Sequence, residues 1–118
     1  MTIPQISVFL ENKAGQLADI TGILSKNEVN MRAINIAETT DYGVLRLIVD
    51  DAAKASSILL EQGFILTMTP VVGVAVPDAP GGLSKVLGVI SNAEIDVEYM
   101  YSVFGQKDGQ ACMIFRVA

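Results

Sequence analysis

Two short turns in this sequence combine residue types that could together bind a small zwitterion. Residues 12–17 and 78–83 each follow an apolar run and precede a stretch with helical spacing. Each turn has a short polar residue, Asn12 or Asp78, three positions before a glycine, Gly15 or Gly81. A helix start offers unpaired backbone N–H groups and the positive end of the helix dipole, which suit a carboxylate. The polar side chain would then hold the ammonium group that an amino acid carries close to its carboxylate.

The same two turns also have a purely structural explanation. Glycine adopts a positive φ angle without steric cost, and short polar residues are common where a helix begins. Finding such a turn twice at equivalent positions chiefly indicates an internal repeat. The residues alone therefore leave a binding role and a structural role both open.

Residues that could catalyse a reaction are scarce. The chain has no histidine, which is the most common general base and metal ligand in proteins. Its single cysteine, Cys112, lies in an apolar run typical of a buried strand. The carboxylates of Glu11 and Asp19 flank a turn and a helix start, where a solvated surface is the better interpretation. We therefore predict no catalytic residue, no metal site and no cofactor.

The charge balance and composition exclude several classes of partner. Acidic residues number 13 against 8 basic ones, a net charge of -5 that repels phosphate backbones. Aromatic residues make up 6% of the chain and tryptophan is absent, so surfaces for base stacking are few. No apolar stretch approaches the roughly 20 residues of a spanning helix, and no signal segment is recognisable. These features predict a cytoplasmic protein that binds neither nucleic acids nor membranes.

An internal repeat emerges when each residue is compared with the one 66 positions further on. The apolar pattern of residues 6–49 matches that of residues 72–115 without a gap. Glycines agree at the turn, in the helix and at the hairpin: Gly15 with Gly81, Gly22 with Gly88, and Gly43 with Gly109. Because periodic repeats define whole architectures, we expect two copies of one structural unit.

The first unit is predicted to alternate strands and helices in the order βαββαβ. Apolar residues recur at spacings of three and four over residues 18–26, which predicts a helix. A second helix is expected after Asp50 or Asp51 as its cap. Strands are predicted over residues 5–10, 29–37, 44–49 and 64–69, with a tight hairpin at residues 41–43. This order is the ferredoxin-like pattern of the α+β class.

The second unit is predicted to repeat this plan incompletely. A strand over residues 71–76, a helix from Leu83, and strands over residues 95–104 and 111–117 follow one another. Ala118 aligns with Ala52, where the first unit begins its second helix, so the last helix and strand are expected to be missing. We predict domains at residues 1–70 and 71–118. The missing strand should leave an open sheet edge, which proteins usually cover or pair.

The turn pattern D/N-x-[AP]-G-x-L leading into the first helix of a βαββαβ unit resembles that of ACT domains, which sense small molecules. Residues 12–17 and 78–83 carry this resemblance, together with the helix over residues 18–26 and the strand over residues 30–39. The tandem layout and the strand at residues 98–102 are similar to small tandem-ACT proteins. The resemblance implies a ferredoxin-like fold and an amino-acid ligand held where two ACT domains meet.

The resemblance also implies which residues would bind that ligand. In the first unit they are the turn residues Asn12, Lys13, Ala14, Gly15, Gln16 and Leu17, with the strand residues Ile34, Asn35 and Ile36. In the second unit they are Asp78, Ala79, Pro80, Gly81, Gly82 and Leu83, with Tyr99, Met100 and Tyr101. Backbone N–H groups would take the carboxylate, Asn12 or Asp78 the ammonium group, and the β-strand residues the side chain.

Three functions are compatible with these features. The leading hypothesis is a non-enzymatic regulatory protein that senses an amino acid, acts as a homodimer and transmits occupancy to an unidentified partner, such as a regulated enzyme. The alternative is an ACT-like assembly protein without a ligand. An acylphosphatase-like enzyme is disfavoured, because Arg32, Arg46 and Arg116 lie in or beside predicted strands rather than in the glycine turns.

Overall fold

The computed structural model describes residues 2–11, 15–38, 42–105 and 108–118, except for the side chain of residue 38. The elements are β1 (Thr2–Glu11), α1 (Gln16–Lys26), β2 (Met31–Glu38), β3 (Tyr42–Val49), α2 (Ala52–Glu61), β4 (Ile65–Pro77), α3 (Gly82–Asn92), β5 (Val97–Ser102) and β6 (Gln110–Val117). They divide into an N-terminal unit, residues 4–69, and a C-terminal unit, residues 70–118 with the start of β1.

The N-terminal unit has the predicted ferredoxin-like βαββαβ order. Its strands are arranged β2-β3-β1-β4, and β3 pairs antiparallel with both β1 and β2. Because side chains alternate along a strand, Ile6, Val8 and Leu10 of β1 point to the same side, where they are buried. The helices cover this side, so the core lies between helices and sheet. The predicted fold class is confirmed for this unit.

Each helix of the N-terminal unit buries residues four positions apart. Ile20 and Leu24 of α1 are fully buried, as are Ala55 and Leu59 of α2. A spacing of four keeps side chains on one helix face, and that face is the one turned to the sheet. The Asp51 side chain accepts a hydrogen bond from the Lys54 N–H at 3.1 Å, so Asp51 is the cap of α2, as the sequence predicts.

The C-terminal unit repeats this plan with the strand order β4-β6-β5 and the single helix α3. Details of the backbone recur 66 positions apart: Glu28 and Glu94, just after α1 and α3, have φ angles of 57° and 58°. Strand β2 is irregular between Met31 and Ala33, and β5 is irregular at the equivalent place. No second helix or fourth strand follows β6 among the described residues. The predicted repeat and its incomplete second copy are both confirmed.

The boundary between the repeats differs from the expectation. The sequence predicts separate strands over residues 64–69 and 71–76, but β4 runs without a break from Ile65 to Pro77. Pro70 lies inside it and is exposed, so the missing N–H of proline is tolerated there. The Pro70 carbonyl accepts a hydrogen bond from Arg116 Nη1 at 2.7 Å. One strand therefore serves as the last of the first repeat and the first of the second.

The sequence predicts that the C-terminal unit has an open sheet edge where its fourth strand would pair. This prediction is wrong, because that edge of β4 has a neighbouring strand. Strand β1 is the neighbour of β4, and the start of β1 belongs to the C-terminal unit. The Ile3 side chain lies over Gly73: a Cβ added to Gly73 would come within 2.5 Å of Ile3 Cδ1. The sequence pattern could not predict this cover, because the covering residue lies about 70 positions away from Gly73.

Several predicted boundaries shift by a few residues. Helix α1 begins at Gln16 rather than at residue 18, and β5 covers Val97–Ser102 rather than residues 95–104. The later start of β5 follows from the left-handed conformation of Glu94, which turns the chain before the strand. Of the hairpin predicted at residues 41–43, Tyr42 and Gly43 already belong to β3, and residue 41 lies outside the described residues.

The burial of α2 predicts a clear contrast between two adjacent leucines. Leu59 is fully buried and Leu60 is 55% exposed. We expect Leu59→Ala to lower the free energy of unfolding by about 2–5 kcal/mol, because it removes buried methyl groups and leaves a cavity. The matched control, Leu60→Ala, should change it by no more than about 0.5 kcal/mol. Urea denaturation measures both, and equal losses would contradict the placement of α2.

Candidate functional site

Both candidate turns enter their helix through a glycine in the left-handed region. Gly15 has a φ angle of 90° and Gly81 of 85°. A Cβ atom added to either glycine would meet nothing within 4 Å. Glycine is therefore required here by the positive φ angle of the backbone and not by close packing. The first helical hydrogen bonds run from the Asp19 N–H to the Gly15 carbonyl, 2.9 Å, and from the Lys85 N–H to the Gly81 carbonyl, 3.1 Å.

These two helix starts differ from the start of α2. The α2 cap, Asp51, supplies a carboxylate to an N–H group of the first turn. Gly15 and Gly81 occupy the cap positions of α1 and α3 and have no side chain to do so. The first N–H groups of a helix lack partners within it, so they are candidate donors to an acceptor outside the helix. At α3 the Gly82 N–H already donates to the Ala79 carbonyl, which leaves the next N–H groups of the first turn as the candidates. The starts of α1 and α3 are therefore two places suited to a carboxylate, at equivalent positions of the repeat.

The turn before α3 is held by its own backbone. The Asp78 N–H donates to the Gly109 carbonyl at 2.9 Å, and the Gly82 N–H donates to the Ala79 carbonyl at 3.0 Å. Gly82 is buried, and a Cβ there would overlap the Pro77 carbonyl oxygen. Gly82 is therefore explained by close packing rather than by a ligand.

The remaining residues of this turn differ in their access to solvent. Asp78, Ala79 and Pro80 are exposed, and Leu83 is half-buried. Asp78 is therefore a surface residue of this turn.

The turn before α1 is described only from Gly15 onward. The predicted site residues Asn12, Lys13 and Ala14 lie outside the described residues. Leu17 is 39% exposed and Gln16 is half-buried. Within the described part of the chain, the Gln16 side-chain oxygen Oε1 is buried and has no hydrogen-bond partner. A buried acceptor without a hydrogen-bond partner is energetically costly, so the Gln16 side chain is a candidate to contact a ligand at this turn.

The predicted residues of β2 lie on two sides of the sheet. Ile34 packs against the helix-side core, and Ile36, two positions on, lies on the same side and is 40% exposed. Asn35 faces the opposite side, where its Oδ1 accepts a hydrogen bond from Arg46 Nη1 at 2.9 Å. Arg46 was absent from the predicted set. The strand register that pairs Asn35 with Arg46 would have identified it.

The predicted residues of β5 are divided in the same way. Met100 pairs with Phe115, which lies on the side that α3 covers, and Met100 is 36% exposed. Tyr99 and Tyr101 face the other side, with their rings stacked at 6.4 Å and an angle of 17°. Tyr101 is buried, 8% exposed, and Tyr99 pairs with Arg116. Met100 and the tyrosines therefore do not share one face of this unit.

Other kinds of site find no support among the described residues. There, no group of three or more His, Cys, Asp or Glu side chains could hold a metal ion. In the same ranges, no helix is long and apolar enough to cross a membrane. What the two turns offer chemically is recognition: N–H donors for an anion, with the Asp78 carboxylate close by in sequence for a cation.

Comparisons with known proteins agree with this architecture. No curated protein matches the sequence. The solved structure of protein BT0572 from Bacteroides thetaiotaomicron is 42% identical, with a TM-score of 0.91; the match covers 100% of this chain and 81% of that one. The regulatory subunit of aspartate kinase from Thermus thermophilus, in its ligand-free form, is 14% identical with a TM-score of 0.68, covering 95% of this chain and 81% of that one.

A third structure, aspartokinase III from E. coli in complex with lysine and aspartate, is 18% identical with a TM-score of 0.50. That match covers 94% of this chain and 27% of the other, and at this level of identity it speaks for the fold alone. The family model described as an ACT domain pair matches residues 1–118, the whole chain. Together with the repeated strand–turn–helix geometry, this match shows that the chain belongs to the ACT domain pair family.

Proposed function

We propose that the protein is a non-enzymatic regulatory module that binds a free amino acid at its two glycine turns. The observation that carries the proposal is the recurrence, at equivalent positions of an ACT pair, of a helix start with a left-handed glycine in place of a capping side chain. The aspartokinase III structure holds lysine and aspartate, which are ligands of the proposed class.

Each part of the ligand has an assigned partner. The backbone N–H groups that follow Gly15 or Gly81 receive the carboxylate, assisted by the positive end of the helix dipole. Asn12 or Asp78 receives the ammonium group, and Asp78 binds it more strongly because it is charged. Ile36 and Met100, partly exposed on the helix side of their strands, are assigned to the ligand's side chain. Binding shifts the population of states that the module presents to a partner, such as a regulated enzyme.

The first test is a thermal-melt panel with the twenty amino acids at millimolar concentration. A ligand present at about 100 times its dissociation constant adds about 2.7 kcal/mol to the stability of the folded state. For a chain of this size the melting temperature should rise by roughly 4 °C or more per kcal/mol. We expect one amino acid, or a few of related chemistry, to produce this rise. A flat panel would contradict the proposal and favour a ligand-free assembly protein.

Substitutions of the turn glycines can separate a role in ligand binding from a role in folding. Gly15→Val and Gly81→Val place a β-branched side chain beside the N–H groups and force it into the left-handed region. The matched control is Gly63→Val at the end of α2, where φ is 89° and the added Cβ also meets nothing within 4 Å. All three variants should lose comparable stability, roughly 1–2 kcal/mol.

Calorimetric titration with the responding amino acid then separates the roles. We expect Gly63→Val to retain the native affinity, whereas each turn variant loses binding at its own turn. Unchanged affinity in both turn variants would show that the glycines serve only the fold.

We further propose that the module is a homodimer. Strands β2 and β5 stand last in the strand order of their units, so each has an outer edge without a strand neighbour among the described residues. Exposed strand edges are usually covered or paired. Sedimentation equilibrium at micromolar concentration should therefore yield twice the mass of one chain. A monomer mass under these conditions would contradict the proposal.

A further inference from the structure

A surface groove of the N-terminal unit runs along helix α1. Its volume is about 470 Å³, and α1 lines it with Ala18, Asp19, Gly22 and Lys26. Phe64, just before β4, lines it as well. The four α1 residues are exposed, whereas Phe64 packs against the core. The groove therefore combines an apolar contact surface with one carboxylate and one ammonium group, and none of these residues belongs to the glycine turns.

Gly22, in the middle of α1, is not explained by packing against the described residues. A Cβ added there would meet nothing within 4 Å, and Gly22 is exposed. Glycine in a helix interior is less favourable than alanine, so the stability of α1 gives no reason for it. The distance at which two helices pack depends on the side chains at their contact. Gly22 and Ala18, one turn earlier, therefore permit another helix to come close to this face of α1.

Asp19 and Lys26 place opposite charges at the two ends of this face. Asp19 lies in the first turn of α1 and Lys26 in the last, which suits the helix dipole. They are separated by two helical turns, about 10.5 Å along the axis, which is too far for them to pair with each other. Neither side chain forms an ion pair within the described part of the chain. Both charges are therefore available to a second molecule.

The positions of these two charges are symmetric about the middle of the helix. Their midpoint falls between Gly22 and Ile23. A two-fold axis at this point, perpendicular to α1, lays α1 of a second copy antiparallel on the first. Asp19 of each copy then stands opposite Lys26 of the other, and Gly22 lies where the two helices are closest. The groove is thus complementary to itself in charge, with its smallest residue at the crossing.

Helix α3, at the equivalent place in the second repeat, does not offer this match. Gly88 corresponds to Gly22, but Lys85 and Asn92 occupy the positions of Asp19 and Lys26. An antiparallel pair of α1 with α3 of another copy would set Lys26 opposite Lys85, which is repulsive. The charges therefore favour α1 against α1, an arrangement that closes after two copies.

We propose that this groove is a contact surface between two copies of the chain, with α1 of one copy lying antiparallel on α1 of the other. The proposal rests on the homodimer proposed above and names the helix that joins its two copies. The outer edges of β2 and β5 are the competing surfaces. Charge-reversed variants distinguish them, because those strands contain neither Asp19 nor Lys26.

The variants Asp19→Lys and Lys26→Asp test the pairing by sedimentation at low salt. In either variant alone, both cross-helix contacts become like-charged, so the dissociation constant of the dimer should rise about tenfold or more. Mixed in equal amounts, the two variants should form a dimer of about native affinity, because each reversed residue then faces an opposite charge. The matched control, Lys85→Asp, changes the net charge as much as Lys26→Asp at an exposed position of α3 and should keep the native affinity.

A bulky residue at the crossing tests the close approach of the helices. Gly22→Leu should weaken the dimer about tenfold or more, because the added side chain holds the two helices apart. The matched control is Gly88→Leu, at an exposed position of α3 where an added Cβ also meets nothing within 4 Å. Leucine favours a helix more than glycine does, so circular dichroism should show the native helical content in both variants. Equal affinities of the two variants would overturn the proposal.

The outcomes separate this contact from the other proposals. A native dimer that neither charge reversal weakens, or a mixture that does not recover the native affinity, would overturn the assignment to α1 and favour the strand edges. A native chain of monomer mass would contradict the homodimer and, with it, this contact. A flat amino-acid panel would leave all the sedimentation results unaffected, so ligand binding and the α1 contact can fail separately.

Discussion

Burial of one apolar sheet face by helices is the interaction on which the rest of this structure depends. In the N-terminal unit two helices share the task, and Ile6, Val8, Leu45 and Leu47 are completely buried. In the C-terminal unit α3 lies over an equivalent face, beside Val72, Val74 and Phe115. Since apolar burial contributes about 25 cal/mol per Å², this packing of helices on the sheet stabilises both units.

The connection between strand and helix links this packing to the candidate site. A helix that returns across its own sheet must begin close to the end of the preceding strand, and here a glycine with positive φ makes the turn. Gly82 shows how tight this turn is, because any side chain there would meet the Pro77 carbonyl. The same geometry leaves the first N–H groups of the helix without a side-chain cap. The fold therefore generates, twice and as a consequence of its connectivity, the uncapped helix start to which we assign the ligand's carboxylate.

Local patterns were sufficient to predict the repeat, the first unit and the position of both glycine turns. Helical spacing identified Ile20 and Leu24, and cap chemistry identified Asp51, because both depend on residues near in sequence. The continuous strand through Pro70 and the cover of Gly73 by Ile3 were missed, since each depends on which strands become neighbours. The division of the predicted strand residues between two faces of the sheet has a related reason. Three consecutive residues, such as Tyr99, Met100 and Tyr101, cannot line one side of a strand, because successive side chains alternate.

Helix α3 connects the ligand turn that we propose with the apolar packing of its unit. Its first turn follows Gly81, and its residues Val86 and Ile90 lie beside Val72, Val74 and Phe115 of the sheet. A ligand that orders the turn restricts the start of α3. If it thereby favours one position of α3 on the sheet, ligand binding and any process that depends on that position must strengthen each other by the same factor, because coupling free energy is reciprocal. Such coupling needs no catalytic residue.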